Sequence, residues 1–213
     1  MNTGRTRVKI CGITRAGDAV AAARIGADAI GLVFHPRSPR YVTPEQAREV
    51  LRDIPPLIVV VGLFMDAGAD TVREVLNGVP LDLLQFHGGE PADYCRSFGR
   101  PYIKAVPMGG DSEGFTPAFA RAYPDARGFL VDSHAPGTAG GSGQRFNWQR
   151  LSGHPQRPVI LAGGLDPDNV ASAVREVKPW AVDVSSGVES APGCKDEALM
   201  QRFMQGVYGG LAN

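Results

Sequence analysis

Two side chains at the ends of apolar runs are the first candidates for chemistry. Cys11 closes "RVKIC" and is followed at once by Gly12, and Asp132 closes the apolar part of "GFLVDS". A free thiol has a pKa of about 8.5 and becomes a base once ionised. A carboxyl group partly removed from water holds its proton more firmly, so Asp132 is expected to have a raised pKa and to serve as an acid. Taken singly, Cys11 suits small apolar packing and Asp132 suits loop bracing. Facing each other across a pocket, they would make a general base and a general acid.

Three glycine-rich stretches suit an anion. "AGG" ends at Gly163 and Gly164 ahead of a helix that begins near Asp166, "SSG" comprises Ser185, Ser186 and Gly187, and "GTAGGSGQ" contains Gly141, Ser142 and Gly143. Glycine lets backbone N–H groups approach a ligand closely, and a helix N-terminus favours negative charge. Converging on adjacent strand ends, these stretches predict a phosphate site. Arg40 in "HPRSPRY" could meet a carboxylate. Gln85 and His87 line the same rim or brace its loops, and Asp183 bonds a ligand or braces the interior. Lys9 and Lys104 lie in apolar runs, so a Schiff-base lysine stays in consideration. No cluster has the sequence spacing of a metal site, and Cys95 and Cys194 have no partner.

The elements that would position these residues follow one rhythm. Apolar runs at Arg7–Cys11, Asp28–Phe34, Leu57–Phe64, Asp82–His87, Pro101–Val106, Gly128–Ser133, Pro158–Gly164 and Ala181–Gly187 read as strands. Several are almost continuously apolar, as in parallel strands covered on both faces. Between them lie amphipathic segments. One ends at Gly26, one opens with Thr43 as N-cap and Pro44, and one is capped by Asp70 and closed by Gly78. Others span about Phe115–Ala122, begin at Asp166–Pro167, and run from about Asp196 to Val207. Alternating strands and helices imply right-handed crossovers and a parallel sheet. Eight units close a (β/α)8 TIM barrel, here a single α/β domain over residues 1–213, with its active site at the C-terminal strand ends. An open doubly wound sheet is the competing architecture.

Composition limits the partners. The chain has 213 residues, 22 basic and 22 acidic, so its formal charge is zero, and this argues against general nucleic-acid binding. The most apolar run, "LIVVVGLFM", is too short to cross a bilayer as a helix. Three widely spaced cysteines are no disulfide framework, and a cytoplasmic protein, monomer or homodimer, is expected.

With these residues placed, the chain resembles the phosphoribosylanthranilate isomerases of tryptophan biosynthesis. The likeness runs through "VKICGIT", "DAIGLVFHPRSPRYV", "VGLFMD", "LLQFHGGE", "GGSGQRFNW", "LAGGLDPDNV", "VDVSSGVE" and "PGCKD". It implies a phosphate-binding barrel without metal or organic cofactor. It also implies an Amadori rearrangement of N-(5-phosphoribosyl)anthranilate, a small phosphosugar substrate, to the 1-deoxyribulose 5-phosphate derivative. Cys11 would be the general base, Asp132 the general acid and Arg40 the contact to the anthranilate carboxylate. The stretches around Gly141–Gly143, Gly163–Gly164 and Ser185–Gly187 would hold the phosphate. Asn147 stands where the family usually has aspartate, and Gln144 where a basic residue is common. The competing readings are a related phosphate-sugar enzyme, a Schiff-base aldolase, and a phosphate-ligand binding module without catalysis.

Overall fold

The computed structural model describes residues 5–135, 146–151 and 157–210. Its strands are β1 (Arg7–Cys11), β2 (Ala29–Val33), β3 (Val59–Phe64), β4 (Leu83–Phe86), β5 (Tyr102–Pro107), β6 (Gly128–Asp132), β7 (Val159–Leu161) and β8 (Ala181–Val184). They pair in parallel in sequence order and close, β8 against β1, into an eight-stranded barrel. All eight apolar runs therefore became strands, and the open-sheet alternative falls.

The helices are α1 (Ala16–Arg24), α2 (Pro44–Leu51), α3 (Ala69–Gly78), α4 (Ala92–Arg96), α5 (Pro117–Ala122), α6 (Val170–Val177) and α7 (Glu197–Gly209). Between β6 and β7 the described residues hold only a 3-10 turn, Trp148–Leu151, in place of a full helix. Asn147 Oδ1 accepts from Gln149 N at 3.0 Å as that turn begins, a bond that aspartate would make as well. Thr43 caps α2 as expected, in a reciprocal pair with Gln46. Asp196 caps α7 through Leu199 N at 2.9 Å. Asp70 does not cap α3: the cap position is Gly68, and Asp70 sits in the first turn, where its charge favours the helix dipole.

Alternation along the strands divides the apolar residues into two sets. Val8, Ile10, Phe129, Val131, Leu161 and Val182 point outward and join the large core between strands and helices. Ile103, Ala105, Leu130, Ile160, Ala162 and Ala181 point inward and form a smaller plug inside the barrel, with Leu83 against it. Above that plug the inward positions turn polar, at Lys9, Gln85, Asp132 and Asp183, all buried. The polar layer lies at the C-terminal strand ends, where barrels place their chemistry. A short antiparallel hairpin, β9 (Glu189–Ala191) with β10 (Cys194–Lys195), follows β8 on this same rim.

Candidate active site

One pocket at this rim is lined by Cys11, His35, Arg40, Gln85, His87, Asp132, Asp183 and Ser185, with Val33 and Leu63 as apolar wall. The fold thus brings together both proposed proton-transfer residues and all four proposed substrate contacts. Cys11 and Lys9 sit two positions apart on β1 and face the same way, into the barrel. Gly31 on β2 makes room for the thiol: a methyl group there would stand 2.7 Å from Cys11 Sγ. The thiol is buried, and burial raises its pKa despite the nearby Lys9 ammonium. Cys11 is therefore protonated in the free protein.

Lys9 is occupied. Its Nζ donates to Asp183 Oδ1 at 2.8 Å, and both side chains are nearly removed from solvent. Burial opposes the Lys9 charge, but Asp183 holds its pKa above the ordinary lysine value. The ion pair with Asp183 disfavours Lys9 as an amine nucleophile. Lys104 points away from the pocket, donating to Phe86 O at 3.3 Å and to Glu90 Oε2 at 3.1 Å.

Asp132 departs from its expected state. Burial pushes its pKa up, but the imidazoles of His134 and His87 pull it further down, and the net effect is below the usual carboxylate range. His87 Nε2 and His134 Nδ1 each stand 3.5 Å from Asp132 Oδ2. His87 itself is held neutral by burial, which outweighs the attraction of Asp132. In the free protein Asp132 is thus a carboxylate, the reverse of the raised pKa expected from its strand-end position. Gln85 is buried with its Nε2 3.0 Å from His87 Nδ1, so it orients that ring.

Arg40 is held on one edge. Its Nε and Nη2 donate to Glu189 Oε1 and Oε2, both at 2.8 Å. Lys195 Nζ donates to Glu189 Oε1 at 2.7 Å and to Ser185 O at 3.1 Å. Two cations hold the Glu189 pKa down in spite of burial. The pair with Glu189 uses Nε and Nη2 and does not involve the Nη1 amino group of Arg40.

The two described glycine stretches meet at the rim. Gly163 has φ of 83°, and a side chain there would press on Ser133 and on Asp132 Oδ1, so only glycine lets the chain pass over the acid. A methyl at Gly187 would strike Leu165 O, which places Ser185–Gly187 against the segment after Gly164. Asn169 Nδ2 ties Gly164 O at 2.9 Å and fixes that turn. Gly141, Ser142 and Gly143 lie outside the described residues. The sequence reading assigned no role to Lys9–Asp183 as a pair, or to His134, Glu189 or Lys195. Glu189 and Lys195 stand inside "VDVSSGVE" and "PGCKD", where only their motif membership marked them.

Comparison with known proteins agrees with this geometry. The family model for "N-(5'phosphoribosyl)anthranilate (PRA) isomerase" matches residues 8–206. The N-(5'-phosphoribosyl)anthranilate isomerase of Nitrosococcus oceani is 52% identical over 204 residues, 95% of this chain and 98% of that protein. The crystal structure of phosphoribosyl anthranilate isomerase from Thermotoga maritima superposes with a TM-score of 0.84 at 40% identity, covering 96% of this chain and 99% of that one. A further crystal structure is of such an isomerase in complex with reduced 1-(o-carboxyphenylamino)-1-deoxyribulose 5-phosphate. It has a TM-score of 0.80 at 37% identity and covers 96% of this chain and 99% of that one. Barrel, pocket and sequence point the same way, and the chain belongs to the N-(5'-phosphoribosyl)anthranilate isomerase family.

Proposed function

We propose that Cys11 and Asp132 carry the two proton transfers by which this isomerase converts N-(5'-phosphoribosyl)anthranilate to 1-(2-carboxyphenylamino)-1-deoxyribulose 5-phosphate in tryptophan biosynthesis. The observation that carries the assignment is a single pocket lined by a thiol, a carboxyl group and a guanidinium in a chain of this family. Asp132 protonates the furanose ring oxygen, the C1–O bond opens, and the anthranilate nitrogen becomes an iminium. The adjacent C2 proton is then acidic. Cys11 removes it, and the resulting enolamine tautomerises to the ketone.

Both groups must change state when substrate arrives. The substrate's phosphate and carboxylate bring negative charge that favours a protonated Asp132. Lifting an ordinary carboxyl from about 3.9 to about 7 takes roughly 4 kcal/mol, and the low starting value adds to this. His87 and His134 stand beside Oδ2, and the proton that Asp132 takes up comes from solvent as substrate binds. Cys11 gives its thiol proton to solvent once the iminium cation stands next to it, and the thiolate then takes the C2 proton. Arg40 Nη1 takes the anthranilate carboxylate, Gln85 and His87 pack beside it, and Asp183 faces the sugar hydroxyls. Gly163, Gly164 and Ser185–Gly187, with Gly141–Gly143, hold the phosphate through backbone N–H groups. The free cysteines support a cytoplasmic setting.

The test follows the loss of anthranilate fluorescence with freshly made substrate. Asp132→Asn and Cys11→Ala are each expected to lower kcat by about 10²–10⁴-fold, the range for general acid–base catalysis, with affinity for a product analogue retained. Near-normal turnover in either variant removes that residue from its role.

A further inference from the structure

His87, just beyond β4, and His134, just beyond β6, hold their rings with centroids 4.4 Å apart and planes inclined by 31°. Asp132 Oδ2 is 3.5 Å from His87 Nε2 and 3.5 Å from His134 Nδ1, past the range of a good hydrogen bond. Both ring nitrogens are buried and without a hydrogen-bond partner, and so is Gln85 Oε1. A buried polar atom in that condition calls for an explanation, and an ion is one. The three donor atoms of His87, Asp132 and His134 all lie within 4.8 Å of one another.

These spacings resemble the edges of a coordination shell. Nitrogen and oxygen ligands about 2.1 Å from a tetrahedral zinc ion stand about 3.4 Å apart. The 3.5 Å separations from Oδ2 match two such edges, and the third, between the ring nitrogens, is within 4.8 Å. Imidazole and carboxylate are donors that such a cation accepts. Gln85 completes the set. Turned end for end, a choice open to any amide, its Oε1 accepts from His87 Nδ1–H across the 3.0 Å contact. That bond leaves the Nε2 lone pair aimed at the ion, the usual support for a ligating histidine. A single ion thereby satisfies both ring nitrogens. His87 and Asp132 line the pocket, so the remaining coordination position opens toward the substrate.

We infer that His87 Nε2, His134 Nδ1 and Asp132 Oδ2 form a site for a zinc-type divalent cation, and that an ion seated there inhibits the isomerase by occupying its acid. The inhibitory half rests on the assignment of Asp132 as general acid, whereas binding does not. The test uses chelator-stripped full-length protein titrated with Zn²⁺ by calorimetry and with Co²⁺ by absorption spectroscopy. One ion per chain is expected, with turnover falling at least tenfold at saturation and returning with EDTA. His134→Asn should weaken Zn²⁺ binding at least tenfold while its circular dichroism and metal-free Tm stay those of a folded protein. Undiminished uptake by that variant, or a thiolate-to-cobalt charge-transfer band marking a cysteine ligand, overturns the site. One-to-one binding lost in His134→Asn but without inhibition upholds the site and overturns Asp132 as the acid. Metal-free turnover checks the isomerase reading by itself.

Discussion

Arg40, proposed to meet the substrate carboxylate, is already committed to Glu189, and that commitment sets its direction. With Nε and Nη2 fixed at 2.8 Å, the guanidinium plane is held while Arg40 lines the pocket. Glu189→Gln would remove the charge that keeps Arg40 and Lys195 side by side. The expected outcome is a KM raised about tenfold or more, worth ~1.4 kcal/mol, with kcat little changed. Steady-state kinetics decides it; an unchanged KM means that Glu189 does not aim Arg40. Cys11 and Asp132 were legible in the sequence because each closes an apolar run, and a strand end is visible in one dimension. Glu189 was not, because its partner lies 149 positions away. The protonation of Asp132 reads backwards for the same reason. Desolvation can be inferred from apolar neighbours in the chain, whereas the two imidazoles that outweigh it become neighbours of the carboxylate only in the fold: His134, two positions on but given no role, and His87, from beyond β4.

At the scale of elements, the strands were legible because an eight-stranded parallel barrel buries each of them on both faces, and β-rich apolar runs then stand out. α4 has five residues and escaped notice, as did the hairpin of β9 and β10, whose apolar content is too small for a period. Asp70 misled as a cap because Gly68, which carries no side-chain acceptor, takes that position. The loop from β4 to α4 is pinned from beneath by the buried Lys104–Glu90 pair, with Glu90 Oε1 and Oε2 accepting from Asp66 N and Gly88 N. Lys104→Met would leave the Glu90 charge buried beside it. A loss of about 3–5 kcal/mol in denaturant unfolding is expected, with kcat for the folded fraction retained. Abolished turnover in well-folded protein would return a catalytic lysine to consideration.

For the whole molecule, His87 ties stability to pH. Its native pKa lies below the ordinary value because burial disfavours the charged ring. The unfolded chain therefore binds a proton first, and stability falls as pH drops through about 6.5, by up to about 1.4 kcal/mol per pH unit. Asp132 acts in a lower window: its native pKa is depressed, so its contribution is present at neutral pH and is lost only as pH falls well below about 3.9. Tm measured between pH 7 and 5 should decline in the native protein and less steeply in His87→Asn. A flat native profile would mean that the imidazole is not held neutral. The interior plug of Ile103, Leu130, Ile160 and Ala181 has a different consequence. Among the described residues it closes the barrel beneath the polar rim, so spent sugar is expected to back out along the path by which fresh sugar enters. Product and substrate queue for the same threshold, and accumulated product therefore slows the enzyme as a competitor for entry.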